Sequence, residues 1–352
     1  MAKKLNFAVL GLGMGGHHCK AIIKAKNANL VAVCDIDEER LKKGEKQYKC
    51  KGYKSLAKML KDPEIDVVNI CTESGNHAKH GIMAARAGKH LIVEKPVDIT
   101  PERIKPLRDA VKKEGVKCGC IFQSRMNNCN ILIRRAIGKG KMGNLIGVHA
   151  LLPWYRAQGY YEGAHGSWKG TWRLDGGGSL MNQGIHTVDL IQWLAGPVES
   201  VSGFYGVFNH KIQAEDQTVA ILRFKNGALG TLATTTCSIP GRDQTLYMMG
   251  SKGSFLKYGG TLQCYEMDSP KQRKRMLDLF GEKKTDKGIS SDPMAVSADG
   301  HMLIVEDLVR AVDKDRDPVI TIESATHSVE IACAIFKSSR TGKAVKIKDV
   351  RK

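Results

Sequence analysis

An amide and a histidine four residues apart, Asn182 and His186, with Asp189 three further on, stand in the stretch DGGGSLMNQGIHTVDLIQW from Asp175 to Trp193. In a helix, all three project from neighbouring positions on one side. Histidine accepts protons near neutral pH, and an amide beside it could hold a substrate hydroxyl. The apolar residues Leu180, Met181, Ile185, Val188, Leu190, Ile191 and Leu194 recur at helical spacing and give the same helix a core face. The three glycines, Gly176 to Gly178, suit a helix start where the backbone approaches something closely. The competing reading is a core helix, with His186 a satisfied buried histidine and Asp189 a hydrogen-bonding partner.

A second constellation lies near the amino terminus. Residues Asn6 to Val9 read as a buried strand, followed by Gly11-Leu-Gly13-Met14-Gly15-Gly16, an apolar helical pattern, and a second strand ending in Asp35. This is G-x-G-x-x-G between a strand and a helix, the context that makes it a dinucleotide fingerprint. Gly11 allows the tight turn, Gly13 lets the backbone beside Met14 approach a pyrophosphate, and Gly16 lets the helix pack on the strand. The phosphates then rest on free N–H groups of the helix. Asp35, with Ile36 next to it, is placed for the adenosine ribose, and its charge repels a 2'-phosphate, so NAD is the expected cofactor. Arg40, on the next helix, is the residue that could instead reach such a phosphate.

These groups need a scaffold, and the strand-helix alternation from Asn6 to Phe122 supplies one: a parallel sheet with right-handed crossovers. Ligands of such sheets lie beyond the carboxyl ends of the strands. Three segments fall there: Cys71 to His77, Glu94-Lys95-Pro96, and Gln123 to Arg125. Thr72, Asn76, His77 and Gln123 are candidates for the ribose and nicotinamide side, although Ser74 and Asn76 would equally cap the next helix. The expected division is a Rossmann dinucleotide-binding domain over 1–124 and an α+β substrate-binding and oligomerisation domain over 125–352.

The fingerprint, the stretch ICTESGNH, the tripeptide Glu94-Lys95-Pro96 and the run GGGSLMNQGIHTVD together resemble the glucose-fructose oxidoreductase and inositol dehydrogenase family, Gfo/Idh/MocA. Their order and spacing match across most of the chain. The resemblance implies a cis peptide before Pro96, Lys95 beside nicotinamide and substrate, and His186 as the proton acceptor. Two positions depart from the commonest pattern. Asn182 stands where an aspartate is usual, so it orients a substrate without relaying a proton, and Glu73 stands where a proline is common.

Downstream, Trp154-Tyr155-Arg156, Tyr160-Tyr161, Trp168 and Trp172-Arg173 concentrate aromatic residues in a loop-like segment leading to Asp175. Aromatic faces stack on sugar rings while arginine and hydroxyl groups address sugar oxygens, so Tyr155, Tyr160, Tyr161, Trp172, Arg173 and Asp175 join Arg125 and Asn182 as candidate substrate residues. Ordinary packing of a loop is the alternative. Alternating apolar segments from VSGFYGVF to TLQCYE, with Asn226-Gly227 as a hairpin signal, predict an antiparallel sheet, and the resemblance implies that it is a large open, mainly antiparallel one. One face is available for subunit packing, and the resemblance implies a homodimer or homotetramer. Glu215-Asp216 reads as a turn or strand end.

Composition closes off other classes. The chain has 352 residues, 42% apolar, without the bias of a disordered or fibrous protein. No apolar run is long enough for a membrane span, and the opening MAKKLNFAVLG has no signal-peptide pattern, so a soluble cytoplasmic protein is expected. Ten cysteines lack paired metal spacing and read as reduced thiols, with no metal site expected. The formal charge of +19 favours anionic ligands. Its densest run, Lys271 to Arg275 followed by Lys283, Lys284 and Lys287, lacks interleaved aromatics and reads as a solvated loop, not a nucleic-acid patch.

The expected activity is NAD-dependent hydride transfer at a secondary hydroxyl of a sugar, cyclitol or sugar derivative, with His186 as base and Lys95 steadying the oxyanion. One alternative is redox-neutral glycoside cleavage through transient oxidation, with Tyr160 or Tyr161 as the extra acid or base. Another is a non-enzymatic regulator that keeps the dinucleotide fold.

Overall fold

The computed structural model describes residues 4–281 and 299–351, which form two compact units. The first runs to Met126 and takes in the later stretch ending at Val329; the second begins at Asn127 and resumes at Glu330. An uninterrupted second domain over 125–352 is therefore not what the chain forms.

The first unit alternates β1 (Leu5–Leu10), α1 (Gly15–Lys24), β2 (Ala28–Cys34), α2 (Glu38–Tyr48), β3 (Lys51–Tyr53), α3 (Leu56–Met59), β4 (Val67–Ile70), α4 (His77–Arg86), β5 (His90–Val93), α5 (Pro101–Glu114) and β6 (Cys118–Cys120). Strands such as β4 are buried along their length because helices cover both faces of a parallel sheet. The order is β3-β2-β1-β4-β5-β6, all parallel. It reverses between β1 and β4, so the ligand crevice of this sheet type opens beyond their carboxyl ends. The short edge strand β3, Lys-Gly-Tyr, carries no apolar pattern and was not legible as a strand; its pairing with β2 makes it one.

The second unit contains α6 (Asn128–Gly138), β7 (Leu145–Pro153), α7 (Gly163–Gly166), α8 (Ile185–Ala195), β8 (Val198–Gly206), β9 (Gln217–Phe224), β10 (Leu229–Thr235), β11 (Thr245–Gly250), β12 (Gly253–Tyr258), β13 (Thr261–Tyr265) and α9 (Pro270–Phe280). After these, α10 (Asp299–Asp313) packs on α1 in the first unit, α11 (Ile322–Thr341) follows, and β14 (Val345–Lys346) pairs with β8. The eight-stranded sheet runs β13-β12-β11-β7-β10-β9-β8-β14, antiparallel except where β10 meets β7. On β9 the alternation is strict: Ala220, Leu222 and Phe224 are buried, while Val219 and Ile221 face outward. Register places Phe204, Val219, Ala233 and Leu151 in one row across the outer face.

Lys271 to Arg275 belong to α9, not to a loop. Ser269 accepts the Gln272 N–H, Pro270 opens the helix and Met276 is its buried anchor, a start signal that outweighs the polar composition. Lys283, Lys284 and Lys287 lie outside the described residues. No helix among the described residues is long and apolar enough to cross a membrane.

A second correction concerns the glycine loop. A Cβ on Gly15 would stand 2.7 Å from Val9 Cγ1, whereas one on Gly16 would meet only the Tyr48 hydroxyl at 3.6 Å. The close packing of helix on strand therefore falls on Gly15. In denaturant unfolding, Gly15→Ala should lose about 1–3 kcal/mol, the usual cost of overpacking. Gly13→Ala, whose Cβ would meet only Arg40 Nη1 at 3.7 Å, should stay within about 0.5 kcal/mol of the parent. Equal losses would contradict this assignment.

Candidate active site

The turn after β1 is shaped for a ligand that needs bare backbone. Gly11 has φ +86°, and a Cβ there would sit 2.7 Å from the Cys71 carbonyl oxygen beyond β4, so only glycine fits. Met14, the residue before α1, is exposed and makes no side-chain cap, leaving the first N–H groups of α1 without one. Asp35 is buried at the end of β2; one oxygen accepts the Leu12 N–H at 2.7 Å and the other the Asp37 N–H at 2.9 Å. Each keeps a second lone pair for a hydroxyl donor. Arg40 lies 3.7 Å from both Asp35 and Asp37, and Ile36 beside them is almost fully exposed.

Beyond β4 and β5, two loops are tied together. His77, expected to meet the cofactor, is buried with Nδ1 at 2.7 Å from the Pro96 carbonyl and Nε2 at 3.0 Å from the Thr72 carbonyl. Both ring nitrogens are committed to the scaffold, so His77 holds the two loops and has none left for a ligand. The Thr72 hydroxyl meets His80, and Asn76 donates to Glu73. The Lys95–Pro96 peptide is cis. Glu94 is buried and its carboxylate accepts the Lys95 N–H at 2.8 Å; Lys95 itself is half-buried. Gln123 is half-buried beside Gly300, and Arg125 is buried, donating to Ser324 Oγ at 2.9 Å. Arg125 is thus anchored on the start of α11.

In the second unit, residues Ser179–Gly184 form a π-helical turn that opens α8. Such wide turns recur at functional sites. The turn exists because buried Glu215 accepts the N–H groups of Gly178, Ser179 and Leu180 at 2.9–3.0 Å and the Ser179 hydroxyl at 2.5 Å. A Cβ on Gly178 would overlap the Glu215 carbonyl at 2.0 Å, which explains the glycine there. Glu215, read from sequence as a strand end, is the clamp on this helix start.

The turn presents Asn182 and Gln183, both largely buried, and His186, half-buried at the start of α8. Asp189, three residues beyond His186 in α8, is fully buried. Asp175, also fully buried, accepts from Asn182 Nδ2 at 2.6 Å and from the Gly170 N–H, and so orients Asn182. Gln183 Nε2 donates to Asn182 Oδ1 and to the Tyr160 hydroxyl, both at 2.8 Å. Arg156 donates to Gln183 Oε1 at 3.1 Å and lies over the rings of Trp154 and Tyr160; Lys169 Nζ is 3.8 Å from the centre of the Tyr160 ring. Gln183, Arg156 and Lys169 were not among the sequence candidates. Gln183 and Arg156 were adjacent to ones that were, the only signal available.

The aromatic wall divides. Tyr155 is half-buried and forms an isolated bridge to Cys237, and Arg173 is exposed. Trp172, half-buried, packs edge-on against Tyr205 and Phe336, and Tyr161 is buried with its hydroxyl on Thr236. Burial pushes the Tyr160 phenol up to about 12, with the Asp175 charge adding, and pushes Tyr161 higher still. Both phenols are therefore held in the protonated form.

Residues 5–122 match an oxidoreductase family with an NAD-binding Rossmann fold, and residues 131–256 match the GFO/IDH/MocA C-terminal domain. The chain belongs to the Gfo/Idh/MocA oxidoreductases. It is similar throughout to the scyllo-inositol 2-dehydrogenase (NAD(+)) of Bacillus subtilis, 27% identical over 363 residues that cover 100% of this chain and 98% of the relative. Its structure is similar to the WlbA dehydrogenase of Bordetella pertussis solved with NADH and UDP-GlcNAcA, at TM-score 0.88, 29% identity and 98% coverage of each chain. The WlbA dehydrogenase of Chromobacterium violaceum, solved with the same ligands, is 30% identical over 98% of this chain and 96% of its own, at TM-score 0.86. The cofactor of this Gfo/Idh/MocA member is NAD, and the residues fit it: the glycine turn at Gly11, the bare backbone at Gly13 and Met14, and the Asp35 carboxylate.

Burial raises Glu215 to about 7 despite its hydrogen bonds, which favour the charged form. A carboxyl whose folded pKa is raised gives its stability at low pH and loses it as pH rises through the folded value. Replacing it with Gln removes that titration. The stability of Glu215→Gln relative to the parent should therefore rise between about pH 4.5 and 7, by on the order of 3 kcal/mol at most, in unfolding curves across that range. A flat difference would mean that Glu215 stays ionised throughout.

Proposed function

We propose that this oxidoreductase oxidises a secondary hydroxyl of a sugar or cyclitol derivative bearing an acidic group. The observation that carries the reading is the polar network around the π turn: Asn182, Gln183 and Tyr160 linked by hydrogen bonds, with the cations Arg156 and Lys169 on the Tyr160 ring. Neutral amide and phenol groups suit sugar hydroxyls, and the two cations suit an acid. The formal charge of +19 and the UDP-GlcNAcA seen with two relatives support the acidic class; the inositol dehydrogenase relative supports the polyol ring.

NAD, when bound, supplies the hydride acceptor. In this reading His186 takes the hydroxyl proton, the Lys95 ammonium steadies the oxyanion, and Asn182, fixed by Asp175, holds a neighbouring hydroxyl. NADH formation should appear with UDP-GlcNAcA or another acidic sugar and be weaker with scyllo- and myo-inositol. Lys95→Ala and His186→Ala should each lower kcat by about two to four powers of ten. Lys169→Ala should raise KM for the acidic substrate by about tenfold with little change in kcat, the mark of lost ground-state binding. Turnover of neutral polyols alone would remove the acidic group from the reading, and near-normal turnover in both alanine variants would remove the roles of Lys95 and His186.

We also propose that the outer face of the large sheet joins a second copy of the chain. Phe204 and Ile221 are 73% and 60% exposed within a contiguous apolar surface of the kind that marks an interface. The cysteines, six of the ten buried, fit a reducing, cytoplasmic setting. Light scattering should give a multiple of 38.6 kDa for the parent and the monomer mass for Ile221→Asp. A monomeric parent would contradict the assignment.

A further inference from the structure

Behind the Glu94-Lys95-Pro96 turn lies a closed cluster of polar side chains from four separate elements. Glu94 Oε1 is 2.9 Å from His18 Nε2 of α1 and 3.5 Å from His301 Nε2 of α10, and the two rings meet edge to face at 5.1 Å. His18 Nδ1 is 2.9 Å from the Asn69 amide nitrogen of β4. All four residues are buried, and His301 Nδ1 is enclosed without a hydrogen-bond partner.

Protonation follows from these contacts. Burial alone would raise Glu94, but hydrogen bonds from His18 and His301 hold it well below the usual carboxylate range, so it is ionised. Burial pushes His18 down, against the pull of Glu94. The Asn69 amide donates to Nδ1 of this neutral ring, so its one proton sits on Nε2 and points at Glu94. Taking an ionised carboxylate out of water is costly even when it is hydrogen-bonded. What the carboxylate holds with its other oxygen is the N–H of Lys95.

We propose that His18 and His301 are positioning residues for Lys95. They keep Glu94 charged and oriented, and Glu94 fixes the backbone from which the Lys95 side chain projects, while His77 fixes the Pro96 carbonyl on the other side of the same turn. This rests on the reading that Lys95 acts at the reacting hydroxyl. It also gives α10 a task in the nucleotide-binding unit beyond covering α1.

A divalent metal is the rival occupant, because the three ligand atoms lie within 4.8 Å of one another. A ligating histidine, however, presents a bare nitrogen to the ion and donates with the other. His18 has the opposite arrangement.

The test sets His18→Ala, His301→Ala and His301→Gln in the parent and in Lys95→Ala, reading kcat, the NADH dissociation constant by fluorescence, and melting temperature. In the parent, His301→Ala should lower kcat by about 10- to 100-fold, the scale of a misplaced reacting group, with NADH affinity kept within about threefold. His301→Gln, which restores an N–H toward Glu94, should recover most of the loss, and in Lys95→Ala neither His301 variant should cost more than about a further twofold. His18→Ala, which removes the other N–H toward Glu94, should follow His301→Ala, so the result does not hang on one variant folding. The same loss in the Lys95→Ala background, or a loss of NADH affinity equal to the loss of kcat, would overturn the proposal. So would stoichiometric zinc by elemental analysis whose removal reproduces the defect. If Lys95→Ala alone leaves turnover intact, the role of Lys95 falls first and takes this inference with it, a result distinct from additive losses.

Discussion

Buried carboxylates that accept backbone N–H groups are the interaction on which both units depend. Several turns of this chain leave amides that neither a helix nor a sheet satisfies, and a buried acid, adjacent in some cases and distant in sequence in others, takes them up. Asp35 holds Leu12 in the glycine turn, Glu94 holds Lys95, and Glu215 holds three successive amides at the π turn. Asp98 does the same for Ala78 and Ile99, and Asp216 for Phe208, Asn209 and His210. An ionised carboxylate in the interior is unfavourable by itself. Several N–H donors offset that cost and fix the donors in return, giving rigid backbone at places where regular structure stops.

This division of labour explains what was legible in the sequence. The nucleotide-binding unit announces itself because its logic is local: Gly11, Gly13 and Asp35 follow one another within a single strand-helix-strand unit, and the apolar strands are bounded by clear turns. The large sheet was legible for the same reason, through alternation and Asn226-Gly227. The supports were not. Glu215 lies more than thirty residues from the amides that it holds, and His301 comes from a helix some two hundred residues from Glu94. Nothing in a charge pair such as Glu215-Asp216 says which distant amides it will meet.

Aromatic residues and arginines were legible by type but not by neighbour. Trp172, Tyr161 and Arg125 have the chemistry of sugar recognition, and in the fold they meet Phe336, Thr236 and Ser324. Arg156 and Gln183 form the network instead, because the π turn shifts residues 179–184 out of the simple four-residue register that links Asn182 to His186. Residue type narrowed the region to the segment before the glycines and the helix after them; packing decided which members face the network.

Hydrogen exchange of the segment from Gly177 to His186 tests the dependence on buried carboxylates most directly, without any need to know the substrate. In the parent, the amides of Gly178, Ser179 and Leu180 should exchange as slowly as those of the sheet core. In Glu215→Ala their protection should fall by at least about a hundredfold while the nucleotide-binding strands remain unchanged, as expected for local opening of one unit. If the segment keeps its protection without Glu215, the helix start is held by its own packing and the account is wrong.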